Sequence, residues 1–473
     1  MLSYALYFNW MSVPYIAAGV NLSFFPVGTL LRNCGAFFMR RSFHNDPVYS
    51  QTFSAYIRTV LAERIPFEFF IEGTRSRSGK LMMPKKGLLS MIVQGWEAGL
   101  SPDVIFVPLY VGYDTVVEES SYISEMQGGE KQKESFWQLL RAGRILKNRY
   151  GKVYVRFAEP LSLNEFMQNK RSYGQMETGE RQELYDDLAL NLIDAIYKQT
   201  VATPFAIISA VLISQVAAIE EAAARRFFAL FTDYLRATGY NLASSLNDVN
   251  AAFDDTLSLM IERGLVTIDR GEGPDEPNLC LVPADKRIHL EYYKNNVLNC
   301  FTPAALIACV ILKHPEGLNR ENFMTEVKFL AELLKNEFIL DMQAFAKALD
   351  YMIKSGYIIR DSRFYTPAGD ATETLRMLAG LIENYLESYL TVAHHIERLA
   401  RKSTKDALKI IDRRARRMHK KGEIARAETL CLPTYKGALD SFRSLGLIGS
   451  DNEVIDRKGM ERIRHALEAY HQN

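Results

Sequence analysis

The sequence lacks any sizeable net charge. Its 473 residues carry 57 Lys and Arg against 56 Asp and Glu, a balance of +1. No global basic field exists to hold nucleic acid, so an anion site has to be local. Cysteine is scarce: Cys34, Cys280, Cys300, Cys309 and Cys431 are odd in number, scattered, and form no CxxC. That argues against a disulfide framework and reads as buried thiols in a reducing compartment. No zinc signature is present, so no metal ligands are expected.

Long hydrophobic runs are also missing. None reaches the roughly 18 to 20 residues that a membrane span needs. The nearest, VATPFAIISAVLISQVAAIE from Val201, is interrupted by Pro204, Ser209, Ser214 and Gln215 and reads as a buried helix. The opening MLSYALYFNW has no basic stretch or small-residue cleavage site, which makes it a poor signal peptide. It has no ragged polar lead either, and reads as the interior of a structural element. Histidine is sparse: only His44 lies in the first 288 residues, in RRSFHNDP, with Asp46 two residues on. Partners on a helix face lie three or four apart, so His44 reads as a surface-loop residue. His394-His395 lack the i, i+4 spacing or carboxylate cluster of a metal pair, and there is no GxSxG elbow.

What is there is an alternation of short apolar runs and helical patterns through the first 200 residues. VPYIAAGV (Val13–Val20), GAFFM (Gly35–Met39), FEFFI (Phe67–Ile71), VIFVPLYVGY (Val104–Tyr113) and KVYVRF (Lys152–Phe157) read as strands. Helices are expected near Pro26–Asn33, Pro47–Arg64, Gly87–Ala98 and Glu134–Arg149. Strands apolar on both faces suit a sheet covered on both sides. The fold class is therefore α/β over residues 1–200, a mainly parallel sheet flanked by helices. Residues 201–473 read as a mostly helical C-terminal region with small hairpins. There a helix, a glycine and a short apolar hairpin recur in IERGLVTIDRG (Ile261–Gly271), IKSGYIIRDSRFYTP (Ile353–Pro367) and FRSLGLIGSDNEVIDR (Phe442–Arg457). Each suits a helix ending in a left-handed glycine. Winged-helix modules have this outline, although helices packed with hairpin caps give the same pattern and are the plainer expectation.

The chemistry concentrates in FFIEGTRSRSGK, Phe69–Lys80. In open α/β sheets ligands bind outside the carboxyl ends of strands. If GAFFM and FEFFI are neighbours in one sheet, Arg41 and Glu72 emerge at the same rim. After Glu72 come Arg75, Arg77, Lys80, Lys85 and Lys86 with no acid among them. Guanidinium forks match phosphate oxygens with paired hydrogen bonds, so a phosphorylated ligand explains the local charge. A P-loop is rejected: five residues separate Gly73 from Gly79, and Leu81 stands where a hydroxyl is required. A solvated polar turn and a phosphorylation site remain open. A second basic run, RRARRMHKK (Arg413–Lys421), suits a solvated helical face or anionic lipid headgroups. The rest of the C-terminal half is too weakly basic for DNA, and no nucleic-acid partner is expected.

The segment Leu2–Phe157 resembles the glycerol-3-phosphate acyltransferase family, including its dihydroxyacetone-phosphate relatives. PYIAAGVNLSFFPVG (Pro14–Gly28), GAFFMRR (Gly35–Arg41), FFIEGTRSRSGK and VPLYVGYD (Val107–Asp114) stand in the family's order and near its spacing, with KES (Lys133–Ser135) and FAEP (Phe157–Pro160) downstream. LEYYKNNVLNCFTPAALIA (Leu290–Ala308) looks like the C-terminal region of the large bacterial and organellar members. The resemblance implies acyl transfer from acyl-CoA or acyl carrier protein to the sn-1 hydroxyl of glycerol 3-phosphate, or to dihydroxyacetone phosphate, with no cofactor and no metal. It implies that Arg41 contacts the acceptor phosphate, that Glu72 and Gly73 shape the acceptor site, that Arg75 and Arg77 add phosphate contacts, and that Pro108 forms part of the acyl or acceptor wall. A peripheral place on the cytoplasmic face of the inner membrane is expected, with YALYFNW (Tyr4–Trp10) and NLSFF (Asn21–Phe25) either at the membrane surface or lining the core or acyl groove.

One departure stands out. The family's catalytic HxxxxD would fall about three to eight residues ahead of Met1, and in this chain Tyr49 occupies the position five after His44. Either the start is shortened or catalysis has been lost. The abrupt apolar start and the intact arginine motif favour a shortened start.

Overall fold

The computed structural model describes residues 2–40, 46–73, 76, 78–80, 82–114, 152–271, 273 and 276–471. The helix expected over Glu134–Arg149, His44 and the KES stretch lie outside them. The described residues divide into two compact units: the first holds those of 2–76, 82–114 and 152–200, the second those of 78–80 and 201–471.

In the first unit the elements run α1 (Leu2–Phe8), β1 (Tyr15–Gly19), α2 (Val27–Asn33), β2 (Ala36–Met39), α3 (Pro47–Ala62), β3 (Phe67–Glu68), α4 (Gly87–Glu97), β4 (Ile105–Phe106), β5 (Leu109–Tyr113), β6 (Val153–Phe157), β7 (Leu161–Ser162), α5 (Leu163–Met167) and α6 (Thr178–Tyr197). Strands β2, β1 and β3 form a parallel sheet in that order. Helix α3 starts where Pro47 presets the backbone and the Asp46 carboxylate accepts the Tyr49 N–H at 3.0 Å. It buries Phe53, Ile57, Val60 and Leu61, one face at helical spacing. Helix α4 packs beside it and buries Leu89, Ile92 and Val93.

Two expectations change. The apolar run from Val104 is not one strand: it breaks between β4 and β5 at Val107-Pro108. Pro108 has no N–H for a ladder, and its carbonyl instead accepts the Ala158 N–H at 2.9 Å. Both resulting strands pair antiparallel, β5 with β6 from Leu109–Phe157 to Tyr113–Val153, and β4 with β7. Among the described residues of the first unit, the parallel arrangement is confined to β1–β3.

The second unit continues with β8 (Val201–Ala202), α7 (Pro204–Ile213), β9 (Ile219–Glu220), α8 (Glu221–Thr238), β10 (Asn241–Leu242), α9 (Val249–Glu262), β11 (Thr267–Asp269), β12 (Leu279–Leu281), α10 (Arg287–Lys313), β13 (Leu318–Asn319), α11 (Arg320–Leu333), α12 (Met342–Lys354), β14 (Ile358–Arg360), β15 (Phe364–Pro367), α13 (Thr372–Gly380), α14 (Glu383–His395), α15 (Thr404–Lys420), α16 (Leu432–Ser444) and α17 (Arg457–His471). The Val201 run is β8 plus α7, a helix buried along its whole length. Helix α10 is long and apolar enough to cross a membrane by length and composition, yet 83% of its most apolar window is buried inside the unit.

The glycine-hairpin pattern carries a topology. Apart from β10, which pairs with β8, the order α7-β9-α8-α9-β11-β12 is followed by α10-β13-α11-α12-β14-β15. The two sheets run β11-β12-β9 and β14-β15-β13, all antiparallel. A third hairpin, bridged at Ile448–Val454, follows α16. Gly264, Gly356 and Gly446 end the three preceding helices with φ of 64, 74 and 71°, where a Cβ is disfavoured. Two winged-helix-type units thus replace simple hairpin caps. A short strand ahead of each pair of helices supplies the third strand.

Candidate functional site

The parallel sheet sets the site. Ile16 of β1 is level with both Ala36 of β2 and Glu68 of β3. Strands β2 and β3 are not neighbours, since β1 lies between them, but all three run the same way. Arg40 and Glu72 each follow their level residue by four positions, so both leave the carboxyl edge of one sheet. Arg41, Arg75 and Arg77 lie outside the described residues.

At that edge Glu72 is half-buried. Burial pushes its carboxyl up to about 7 from the usual 4.5, against the opposing pull of a hydrogen bond from the Met82 N–H. A carboxyl of this kind holds or releases a proton at neutral pH. Gly73 follows in the left-handed region with φ of 67°, its Cα facing the Lys85 side chain. The Lys85 N–H returns to the Ile71 carbonyl at 2.7 Å, closing the loop. Pro108 is buried at the β4–β5 break.

The cations that follow β2 and β3 in the sequence are not equivalent. Arg40 pairs with Asp46 at 2.6 Å and lies 4.4 Å over the Tyr49 ring. Lys86 pairs with Asp186 at 2.7 Å. Lys80 forms a close ion pair with Glu337, the two side chains being 15% and 2% exposed. It also sits 5.0 Å from the Tyr385 ring centre. These three charges are neutralised by the protein, whereas exposed Lys85 keeps no ionic partner among the described residues. Fewer of these cations are left without a counter-charge than their number in the sequence suggests.

Residues 78–80 are seated within the second unit. The Asn295 amide donates to the Ser78 carbonyl at 2.8 Å, and Tyr385 OH donates to the Asn295 side-chain oxygen at 2.9 Å. Gly79 has φ of 75°, and a Cβ there would lie 2.0 Å from the Tyr292 carbonyl oxygen. Only glycine fits that approach. Beneath lies a buried polar network: Lys294 bonds the Leu381 carbonyl at 2.9 Å, Asn384 at 3.0 Å and Glu291 at 2.8 Å. Arg287 holds Glu428 through two bonds of 3.0 and 2.6 Å. Burial lowers the Lys294 pKa, and it raises that of Glu337 in spite of Lys80. Sequence reasoning missed Asn295 and Glu337 as partners of Ser78 and Lys80, and Glu291 and Lys294 in the network beneath them. The available signal was LEYYKNN, charged residues inside an otherwise apolar helix.

Residues 122–451 match the glycerol-3-phosphate acyltransferase C-terminal region. The chain belongs to the glycerol-3-phosphate acyltransferase family. Residues 1–112 match the acyltransferase family as well, so Lys80 falls in one matched region and Glu337 in the other. Among curated relatives, the glycerol-3-phosphate acyltransferase of Shewanella amazonensis is 33% identical over 406 residues, covering 83% of this chain and 49% of the relative. That of Shewanella sp. strain ANA-3 is 29% identical over 482 residues, 98% of this chain and 58% of the relative. That of Shewanella putrefaciens is 30% identical over 488 residues, again 98% and 58%. The chain spans about half the length of the curated relatives it matches. LEYYKNN lies inside the C-terminal match, and its Asn295 holds Ser78 while Glu291 and Lys294 form the network below it.

Proposed function

We propose that the protein takes part in acyl transfer from acyl-CoA or acyl carrier protein to the sn-1 hydroxyl of glycerol 3-phosphate, giving lysophosphatidate for phospholipid synthesis. The acceptor hydroxyl attacks the thioester carbonyl, a base takes the hydroxyl proton, the carbon–sulfur bond breaks, and the thiol leaves with a proton. The base is the histidine of an HxxxxD motif, which the resemblance puts ahead of Met1. In this chain Arg41, Arg75 and Arg77 bind the acceptor phosphate, while Glu72 and Gly73 shape the pocket beside it and Pro108 contributes to the wall. The chemistry requires no cofactor and no metal. One observation carries the reading: a half-buried carboxyl and a left-handed glycine stand at the carboxyl edge of a parallel sheet, and the arginine-rich loop starts there.

Dihydroxyacetone phosphate fits the same acceptor chemistry, and a non-catalytic phosphate binder is the second reading. The protein sits peripherally on the cytoplasmic face of the inner membrane. Five cysteines without a disulfide support a reducing compartment, and Trp10 and Phe25, 97% and 85% exposed, support contact with a lipid surface better than a place in the core.

Calorimetry with glycerol 3-phosphate tests the acceptor site. Binding competed by inorganic phosphate but not by glycerol, and weakened at least ten-fold in Arg75→Ala and Arg77→Ala, is expected. No binding, or binding indifferent to both arginines, overturns the assignment. With an HxxxxD segment joined ahead of Leu2, turnover should rise by about 10² to 10⁴, the usual worth of general-base help. Equal activities with and without it overturn the base.

A further inference from the structure

We infer that helix α15 is a docking ridge for an anionic lipid surface. The helix buries Ala407, Ile411 and Ala415, spaced four apart, and packs against α14 and α16. On its opposite face Lys405, Lys409, Arg413 and Arg417 stand exposed at the same spacing of four, with exposed Lys420 and Lys421 after them. The row from Lys405 to Lys421 extends about 24 Å at helical rise. Thr404–Lys420 carries seven basic and two acidic side chains in a chain of net charge +1, so the remainder of the protein is net negative.

The ridge concentrates cations that lack a partner among the described residues. On other helices several exposed cations are matched along their own helix, Lys198 with Asp194 at 2.7 Å, Lys354 with Asp350 at 2.8 Å and Arg236 with Asp233 at 2.7 Å, and unmatched ones such as Arg58 and Lys347 stand singly on theirs. On α15 only Arg416 is matched in this way, by Asp412 at 2.9 Å. Lys405, Lys409, Arg413, Arg417 and Lys420 have no ionic partner among the described residues. Like charges four apart oppose a helix, so the arrangement costs the free protein something and is relieved by an external layer of negative charge.

A bilayer is the occupant that the page favours. A straight row of cations on a helix lying flat against its unit meets a planar anionic surface along its length. The winged-helix-type units do not extend the patch toward a duplex: α9, the second helix of the first unit's pair, carries Asp254, Asp255 and Glu262. The proposed reaction also makes an amphipathic product, and in that respect alone the inference rests on the functional reading.

The test is co-sedimentation of the full chain with vesicles of phosphatidylcholine, alone or with phosphatidylglycerol, at low and high salt. Binding is expected only to the anionic vesicles and is expected to be lost at high salt. Each cation removed should weaken partition about five-fold. The triple change Lys409→Gln/Arg413→Gln/Arg417→Gln should therefore weaken it about a hundred-fold, with unchanged melting and unchanged glycerol 3-phosphate affinity. Lys405→Gln/Lys409→Gln provides a milder variant that removes a like-charge pair. Indifference to anionic vesicles, undiminished binding by the triple variant, or salt-sensitive binding to duplex DNA or an acidic protein but not to vesicles each overturns the ridge. Loss of glycerol 3-phosphate binding with vesicle binding intact overturns the acceptor site and leaves the ridge standing.

Discussion

Replacing Glu72 by Gln should make the protein more stable above neutral pH and change little in acid. Folding raises the carboxyl's pKa from 4.5 to about 7. A raised acid favours its protonated form in the fold, so its contribution is fully present below the unfolded value of 4.5. That contribution is lost as pH rises through the folded value near 7. The whole gap corresponds to about 3 kcal/mol. Gln keeps an oxygen for the Met82 N–H and removes the ionisation. Urea denaturation of wild type and variant at pH 5, 6, 7 and 8 measures the difference, following the transition that reports the first unit. The two curves should converge at acid pH and separate by about 3 kcal/mol at pH 8. Parallel curves, or a variant destabilised throughout, would refute the idea that Glu72 is a strained, ionisable group at the sheet edge. Retaining a carboxyl that costs stability makes sense where ligand chemistry needs it.

Two further outcomes follow from charged groups in the second unit. Glu337→Ala leaves Lys80 buried without its counter-charge and should cost about 3 to 5 kcal/mol of unfolding free energy. Lys80→Met/Glu337→Leu should recover most of that loss, so an equal deficit in both variants would show that the pair is not the cause. His471 is held charged by close contact with Glu383, which raises its pKa above the usual 6.5. Its stabilisation is complete below 6.5 and disappears as pH climbs past the raised value. The melting temperature of wild type, compared with His471→Gln from pH 5 to 9, should show an advantage only at the acid end, and a constant offset would count against the pair.

Much of the first unit was legible because its signals are local. Asp46-Pro47 announces a helix start, the spacing Phe53, Ile57, Val60, Leu61 its buried face, and the apolar run ending at Glu72-Gly73 a strand rim. Strand partners were not legible. KVYVRF and VPLYVGY are apolar on both faces whether they pair parallel or antiparallel, and only Pro108 hinted that one run was two. The winged-helix order stayed ambiguous because its third strands, Ile219–Glu220 and Leu318–Asn319, are two residues long. Lys80 looked like a ligand-binding charge because its counter-ion is 257 residues away, beyond the reach of any spacing rule.

That distance has a temporal side. A chain made from its amino end exposes Lys80 long before Glu337 exists, and at ribosomal speeds of roughly 5 to 20 residues per second the wait is about 13 to 51 seconds. Until then Lys80 has no counter-charge, whereas Tyr292 and Asn295, against which Gly79 and Ser78 rest, are made sooner. The nascent protein thus carries its parallel sheet early and completes the Lys80–Glu337 pair only late in synthesis.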